Sequence, residues 1–442
     1  MHPCLSADRD LLSVDEKGGV NGEEAEEGGG SQVKLEVNAD RPKKDIYLRE
    51  RHGGKLVWVS KKTKTYYRRK CAMKNIRILA VTGMYVLLAL VLVSSLQGWA
   101  PKQAEALELK LTHCMSSVSV PHKLFGYYAD KIYESSKGRV KITVYPSGVL
   151  TPPNEHFEAV KAGIVDIVHH STPYTPGMFP ALEIMDLPVP AENVWVFDRA
   201  AADFISRFEA KKLKELADVH FLAFAAGCGP RYIITRSKPV LRPEELKGLR
   251  LRCVGAQQVQ QLKLWGAIPV AMPMGEVFES LSKGVIDGGI LPGEALKGFK
   301  LADVTKYLTL PPSAFFGNGI LVMNLKTWNT LPKDIQELFT KVSEEFIEWD
   351  ARVWWYTDLD GTKYFRSLSG RTMLEVPVEE RGKWEKLALT LTDKYISDKS
   401  AMGFPAMEYK KYLTERCEFW NKKQLGEKTC AEWVEKEILK LK

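Results

Sequence analysis

The sequence predicts an α/β protein with two similar lobes braced by one long helix. From about Leu107 onward, strand-like stretches alternate with helical ones, which is typical of an α/β sheet that is largely parallel. The stretch FEAVKAGIVD at 157–166 returns as FESLSKGVID at 278–287, within a similar succession of strand, turn and helix. A helical pattern at about 332–368 indicates the brace. In such a protein we expect the ligand site in the cleft between the lobes, at the carboxyl ends of the strands.

Two segments precede this body. Residues 1–72 are rich in Gly, Glu and Lys, which is typical of disorder, and they are either a cytoplasmic tail or a mis-assigned extension ahead of a true start at Met73. Residues 73–106 carry an uncharged apolar run at 78–96, as a secretory signal does. The run is also long enough for an uncleaved membrane anchor. Both alternatives predict an exported, periplasmic body.

Periodicity predicts the first elements of the body in order. Alternating leucines predict a strand at 107–113, and apolar residues at helical spacing predict a helix at 121–136. Alternating β-branched residues predict a second strand at 140–144. Asn154 is a candidate cap of the next helix, and IVDIV at 164–168 predicts a third, buried strand.

The two lobes are expected to be discontinuous in sequence, because the repeat and the long helix interleave them. We assign 107–228 with 317–355 to lobe I, 229–316 with 356–405 to lobe II, and 406–442 to a C-terminal helical extension.

Composition and motifs exclude several function classes. The net charge of +8 is not spread evenly, and residues 107–442 carry only +3 of it without a basic stripe, which argues against nucleic acid as a partner. Nucleotide-binding, metalloprotease and serine-hydrolase motifs are missing, so we predict no enzyme, no cofactor and no metal site. Adjacent residues of a strand point to opposite faces, so His169 and His170 cannot readily chelate one metal ion, and at least one of them is expected to be structural. Cys417 and Cys430 are either a disulfide or two free thiols.

Two arginines are candidate anion receptors. Arg231 follows a Gly-Pro turn at the start of a strand-like stretch, and Arg252 lies in KGLRLRCVG. A guanidinium binds a carboxylate through two parallel hydrogen bonds and stays charged when it is buried. The alternative for each is a surface or interlobe ion pair. Alternation places Arg250 on the same face as Arg252, but Arg252 is nearer the carboxyl end of its strand.

The body resembles the solute-binding proteins of TRAP (tripartite ATP-independent periplasmic) transporters, of the C4-dicarboxylate-binding type. LPKDIQELF also fits the start of that family's long helix. The stretches that carry the resemblance are ESSKGRVKITVYPSGVL (134–150), FEAVKAGIVDIV (157–168), EELKGLRLRC (244–253), LWGAIPVAMPMGEVFESLSKGVIDGGILP (264–292) and ADVTKYLTL (302–310).

The resemblance implies a two-lobed periplasmic binding protein, a type II-like clamshell that captures a small organic acid and delivers it to membrane subunits driven by an ion gradient. It implies that Arg252 clamps the ligand carboxylate, with Arg231 as a second contact and Arg250 in solvent. The other ligand-binding positions that it implies are Cys114, Ser171, Tyr174, Met274, Leu291 and Phe316.

The resemblance also bears on the choice of ligand. Members that bind sialic acid have Asn at the positions of Cys114 and Leu291, so we do not expect sialate here. A 2-oxo, branched or aromatic acid fits an apolar lining better. Trp354, Trp355, Phe315 and Phe316 are candidates for an aromatic wall or for packing. A membrane-tethered sensor that uses the same clamshell is the alternative function, and an enzyme on the same fold is a third.

Overall fold

The computed structural model describes residues 47–52, 55–60, 84, 106–208, 214–225, 227–312 and 315–441. The chain divides into two compact units, Met1–Gln103 and Ala104–Lys442. The predicted signal or anchor at 78–96 lies outside the described residues except for Met84. None of the helices described reaches the combination of length and apolar character that a membrane crossing requires.

The first unit contains one described hairpin. Strands β1 (Tyr47–His52) and β2 (Lys55–Ser60) pair antiparallel within the segment for which the composition predicts disorder. The rest of 1–72 lies outside the described residues.

The second unit contains two mixed sheets. The strands of the first sheet are β3 (Leu107–Thr112), β4 (Val140–Tyr145), β5 (Ile167–Ser171), β6 (Val219–Phe224) and β12 (Gly319–Asn324). The strands of the second sheet are β7 (Arg231–Thr235), β8 (Arg250–Cys253), β9 (Ile268–Ala271), β10 (Gly288–Pro292), β11 (Tyr307–Thr309) and β13 (Thr372–Leu374).

Helices cover these sheets and form the C-terminal region. They are α1 (Val120–Ser135), α2 (His156–Ala162), α3 (Val194–Arg207), α4 (Gly255–Leu264), α5 (Val277–Ser282), α6 (Glu294–Gly298), α7 (Leu325–Thr330), α8 (Lys333–Ser367), α9 (Val378–Ala401), α10 (Ala406–Asn421) and α11 (Glu427–Glu437).

The two sheets have the same topology. The first runs β4-β3-β5-β12-β6, and the second, read from its other edge, runs β9-β8-β10-β7-β11 with β13 added. In each sheet the first three strands are parallel, and the fourth is antiparallel to both of its neighbours. The prediction of largely parallel sheets is therefore wrong for β7 and β12, the strands that enter each sheet after the chain has crossed from the other.

The sequence repeat corresponds to this duplication. Asp166 accepts a hydrogen bond from the backbone N–H of Lys110 on β3, and Asp287 accepts one from Arg250 on β8, both at 2.9 Å. Gly163 and Gly284, which follow α2 and α5, have φ of +74° and +72°. Only glycine adopts this left-handed conformation without strain, so the same residue ends the same helix in each copy.

Helix α8 spans both sheets. Its 35 residues are about 50 Å long at 1.5 Å per residue. It packs on α1, α3 and β6 beside the first sheet and on α6 and β13 beside the second. The buried side chains form two clusters, one centred on the first sheet and its helices and one behind the second sheet. We keep the lobe boundaries at 228, 317 and 356 as a proposal, with α8 as the shared brace.

Local details differ from the periodicity-based expectations. Helix α2 begins at His156 and Asn154 is not its cap, since Glu155 occupies that position without a side-chain hydrogen bond. The strand expected at 164–168 lies at Ile167–Ser171, because the left-handed turn at Gly163 and the Asp166 side chain use the preceding residues. Cys417 and Cys430 are buried free thiols in the C-terminal helices.

Candidate functional site

One cavity lies at the carboxyl ends of β3, β5, β8, β9 and β10, between the two sheets. It encloses about 560 Å³ of space between atoms, its open mouth included. The first-sheet side contributes Cys114, Met115, Ser171 and Tyr174, and the chain crossing contributes Gly227 and Cys228. The second-sheet side and α8 contribute Arg231, Arg252, Val254, Gln258, Met274, Ile290, Pro292, Glu294, Ala295, Phe299 and Trp354.

Arg252 is the central charged group of this cavity. Its side chain lies on β8 and is 4% exposed. The guanidinium donates from Nε to the carbonyl oxygen of Met272 at 3.2 Å and from Nη2 to the hydroxyl of Tyr174 at 3.3 Å. Neither partner is anionic, and no carboxylate of the described residues forms an ion pair with it. Neutral groups hold the buried guanidinium in place, so no carboxylate of the described residues balances its positive charge.

Arg250 shows the contrast within the same strand. It lies at the amino end of β8, where its guanidinium is bidentate on Asp287, with Nε–Oδ2 and Nη2–Oδ1 distances of 3.1 and 2.8 Å. Its side chain is 44% exposed. Arg250 therefore forms a surface ion pair with Asp287, whose pKa it lowers through hydrogen bonding.

Arg231 is the second buried arginine of the cavity. It begins β7 and is 5% exposed, with Nη2 3.7 Å from Oδ1 of Asp186. Its Nη1 is buried and has no hydrogen-bond partner among the described residues. Burial raises the pKa of Asp186 to about 7, and the charge of Arg231 opposes this shift. The pair with Asp186 therefore leaves part of the hydrogen-bonding capacity of this buried guanidinium unused.

The rest of the lining is largely apolar and rich in sulfur. Cys114, Cys228 and Met274 face the cavity, and Trp354 of α8 closes one side. Burial raises the pKa of Cys114 to about 12, so this thiol is neutral. Sulfur atoms pack favourably against aromatic rings, and such a surface suits a flat apolar group attached to an anion.

A close contact between the two sides aligns the cleft. Tyr174, which bonds Arg252, belongs to the turn Thr172–Tyr174 after β5, on the first-sheet side. In the same turn Pro173 faces Gly255, the first residue of α4, so closely that a Cβ on Gly255 would lie 2.8 Å from the Cβ of Pro173. Gly255 has φ of +78°. Glycine is thus required at position 255 for two reasons: the left-handed backbone conformation and the lack of space for a side chain.

The structure brings together six of the eight residues that the resemblance implied. Arg252, Arg231, Cys114, Ser171, Tyr174 and Met274 all line the cavity. Whether they bind a ligand stays a prediction.

Two of the predicted ligand-binding positions, Leu291 and Phe316, do not line the cavity. Leu291 does not line the cavity, because its side chain is fully buried in the core cluster behind the second sheet, together with Tyr232 and Ile234. Phe316 is fully buried and stacks on Phe197 with ring centroids 4.8 Å apart. Of the aromatic residues considered for a wall, Trp354 lines the cavity.

Neither histidine of the adjacent pair faces the cavity. His169 and His170 are buried in β5, and Nε2 of His170 lies 2.8 Å from the hydroxyl of Thr175. Burial lowers the pKa of both rings, so they are neutral. No group of three or more potential metal ligands occurs within the described part of the chain.

Comparison with known proteins agrees with this architecture. Residues 111–398 match the sequence profile of the bacterial extracellular solute-binding proteins, family 7. The chain belongs to this family. Family 7 comprises extracytoplasmic transport components that capture a solute, and this chain is a solute-binding protein of the TRAP type.

Characterised relatives in the family are distant in sequence. The C4-dicarboxylate-binding periplasmic protein DctP of Rhodobacter capsulatus is 23% identical over 299 residues, which are 66% of this chain and 88% of the relative. The 2,3-diketo-L-gulonate-binding periplasmic protein YiaO of Escherichia coli is also 23% identical, over 57% of this chain and 76% of its own length.

Solved structures share the fold of family 7. A TRAP solute-binding protein from Rhodoferax ferrireducens, solved with copurified benzoate, superposes with a TM-score of 0.67 at 26% identity, over 72% of this chain and 99% of that one. One from Bordetella bronchiseptica with bound mandelate superposes with a TM-score of 0.65 at 24% identity, over 71% and 99%.

Proposed function

We propose that this TRAP solute-binding protein captures a small aromatic monocarboxylate in the cavity at Arg252. The observation that carries the proposal is the Arg252 guanidinium, which is buried in the cavity and bonded by two neutral oxygens. A carboxylate entering the cleft supplies the missing counter-charge and can form two parallel hydrogen bonds.

Arg231 also indicates that the cavity binds an anion. Its Nη1 has no partner among the described residues, and its carboxylate neighbour Asp186 has a raised pKa. The cleft thus carries excess positive charge in a desolvated space, where it attracts one small anion.

The lining favours an aromatic acid. Trp354, Met274, Cys114 and Ile290 present flat or polarizable apolar surface, which would leave the hydroxyls of a sugar acid without partners. The benzoate of the Rhodoferax protein is an acid of this type. This also supports the expectation that sialate is not the ligand.

The family membership supports the remaining parts of the proposal. We infer that the body is exported, by way of the 73–106 segment, and that the loaded protein docks on TRAP membrane subunits. The protein would then act by binding and release rather than by turnover.

The first experiment compares two arginines of one strand. Binding of benzoate, mandelate and unbranched monocarboxylates to the purified full chain is measured by thermal shift and calorimetry, for wild type, Arg252→Ala and Arg250→Ala. We expect at least one aromatic acid to bind wild type. Arg252→Ala should lose binding by roughly a hundredfold or more, because a ligand carboxylate would be buried without its charge partner.

Arg250→Ala is the matched control, since it removes the same charge two residues away, at the surface. It should keep ligand affinity and lose only its solvent-exposed ion pair with Asp287, which contributes little to stability. Equal affinity in wild type and Arg252→Ala would refute the assignment of Arg252.

A further inference from the structure

A buried glutamic acid lies on the wall of the same cavity. Glu294 is the first residue of α6, is 5% exposed and lines the cleft. No residue of the described chain forms a hydrogen bond or an ion pair with its carboxyl group. A buried carboxyl group without a partner is costly, so its presence on a ligand-facing wall requires an explanation.

The helix provides room for this carboxyl group. A Cβ on Gly298, one turn later in α6, would lie 1.8 Å from Oε1 of Glu294. Glycine at this position therefore leaves the space that the carboxyl group fills, and any larger residue would displace it. The packing of α6 therefore provides a defined space for the Glu294 carboxyl group.

The surroundings keep the group uncharged. Burial raises the pKa of Glu294 to about 8, and the negative charge of Asp358 on α8 adds to this shift. Asp358 is itself bonded by the hydroxyl of Tyr232 on β7 at 2.9 Å and by the backbone N–H of Gly293 at 3.0 Å. At neutral pH Glu294 is therefore an un-ionised acid whose O–H can donate a hydrogen bond.

The other charged groups near α6 do not neutralise Glu294. Lys297 of the same helix pairs at the surface with Asp360 of α8 at 2.7 Å, and Asp303 of the following turn is exposed. On the cavity side, Cys114 is a neutral thiol within electrostatic reach of both Arg252 and Glu294. The cavity wall thus presents a guanidinium and an un-ionised acid, with a thiol influenced by both.

We propose that Glu294 is a specificity-determining residue that donates a hydrogen bond to an acceptor oxygen of the ligand, at a point away from its carboxylate. The ligand class is a carboxylic acid that carries a second, carbonyl-type oxygen. This inference rests on the proposed function, because it requires the ligand carboxylate at Arg252. A cationic substituent is disfavoured, since the cavity already contains Arg252 and Arg231 and its acid is uncharged.

The test uses a pair of probes that differ by one acceptor. Affinities of benzoate and of the isomeric acetylbenzoates are measured by calorimetry on the full chain at pH 6.5, 7.5 and 8.5, and the preference is the ratio of the two affinities. A wild-type preference of about three- to tenfold is expected for at least one isomer at pH 6.5, as for one hydrogen bond. The preference should fall as pH rises through the pKa of Glu294, because an ionised carboxylate cannot donate.

Two variants distinguish a hydrogen bond from Glu294 to the ligand from a purely structural role of this residue. Glu294→Gln keeps an N–H donor that does not titrate, so the preference should persist and become independent of pH. Glu294→Ala should bind benzoate and show no preference at any pH. Thermal unfolding of each variant checks that it is folded.

The outcomes distinguish the two proposals. If wild type binds no aromatic carboxylate, the proposed function fails and the role of Glu294 fails with it. If benzoate binds but no acetyl isomer is preferred, or the preference survives in Glu294→Ala, only the role of Glu294 is overturned. The ratio cancels the general repulsion that an ionised Glu294 would exert on every carboxylate.

Discussion

Asp358 connects the long helix to the cavity wall through two hydrogen bonds. Its carboxyl group receives one from Tyr232 of β7 and one from the backbone of Gly293, just before α6. A Cβ on Gly293 would lie 2.6 Å from Oδ1 of Asp358, so the glycine allows this approach. A single buried acid thus holds α8, the start of α6 and the second sheet together.

The same residue predicts a pH dependence of stability. Burial raises the pKa of Asp358 to about 7 in the folded protein, against about 3.9 when it is unfolded. Between these values the folded state retains a proton that the unfolded state has released, so this contribution to stability is lost as pH rises from about 4 to about 7. Asp358→Asn removes the titration. Relative to wild type, the variant should become progressively more stable across that range in urea unfolding.

Asp360→Asn on the same helix is the control for this prediction. Its carboxylate lies near the surface and pairs with Lys297. The stability difference between this variant and wild type should not follow the same trend between pH 4 and pH 7. A flat difference for Asp358→Asn would show that Asp358 is not the buried acid described here.

At the scale of elements, the junction of α4 with the turn after β5 controls how closely the two sides of the cleft approach. Gly255 begins α4 and meets Pro173, while the adjacent Tyr174 bonds Arg252. The contact joins elements that belong to different sheets. We therefore expect the start of α4 to limit how closely the two sides of the cleft can approach.

Gly255→Ala tests this expectation. The added methyl would lie 2.8 Å from the Pro173 Cβ and would occupy a residue with φ of +78°. Overpacking of this kind costs roughly 1–3 kcal/mol, so affinity for the bound acid should fall by about tenfold or more in calorimetry. Gly382→Ala is the control, since a Cβ there meets no atom within 4 Å. Unchanged affinity in Gly255→Ala would contradict the role of this contact.

For the whole molecule, local sequence patterns predict the fold well. The FEAVKAGIVD repeat predicted two similar lobes, and the sheets have matching strand orders. The apolar periodicity at 332–368 predicted α8 to within one residue at each end. Both features depend on the short-range spacing of residue types, which can be seen directly in a sequence.

The site could be predicted only in part, because it depends on contacts between distant segments. Periodicity put Arg250 and Arg252 on one face, and strand position favoured Arg252 for the cavity. Leu291 was misplaced because a strand pattern does not show which side chains are covered by neighbouring elements, and Leu291 is covered in the second core cluster. Glu294 carried no signal, since its role depends on Asp358 and on burial between elements far apart in sequence.

The central claim is that the cavity at Arg252 holds the carboxylate of a small acid. The most direct measurement is a crystal structure of the protein with benzoate, or with whichever acid gives the largest thermal shift. We expect the acid in this cavity, with both carboxylate oxygens about 2.7–2.9 Å from guanidinium nitrogens of Arg252. An acid bound elsewhere, or bound here with its carboxylate turned away from Arg252, would contradict the account.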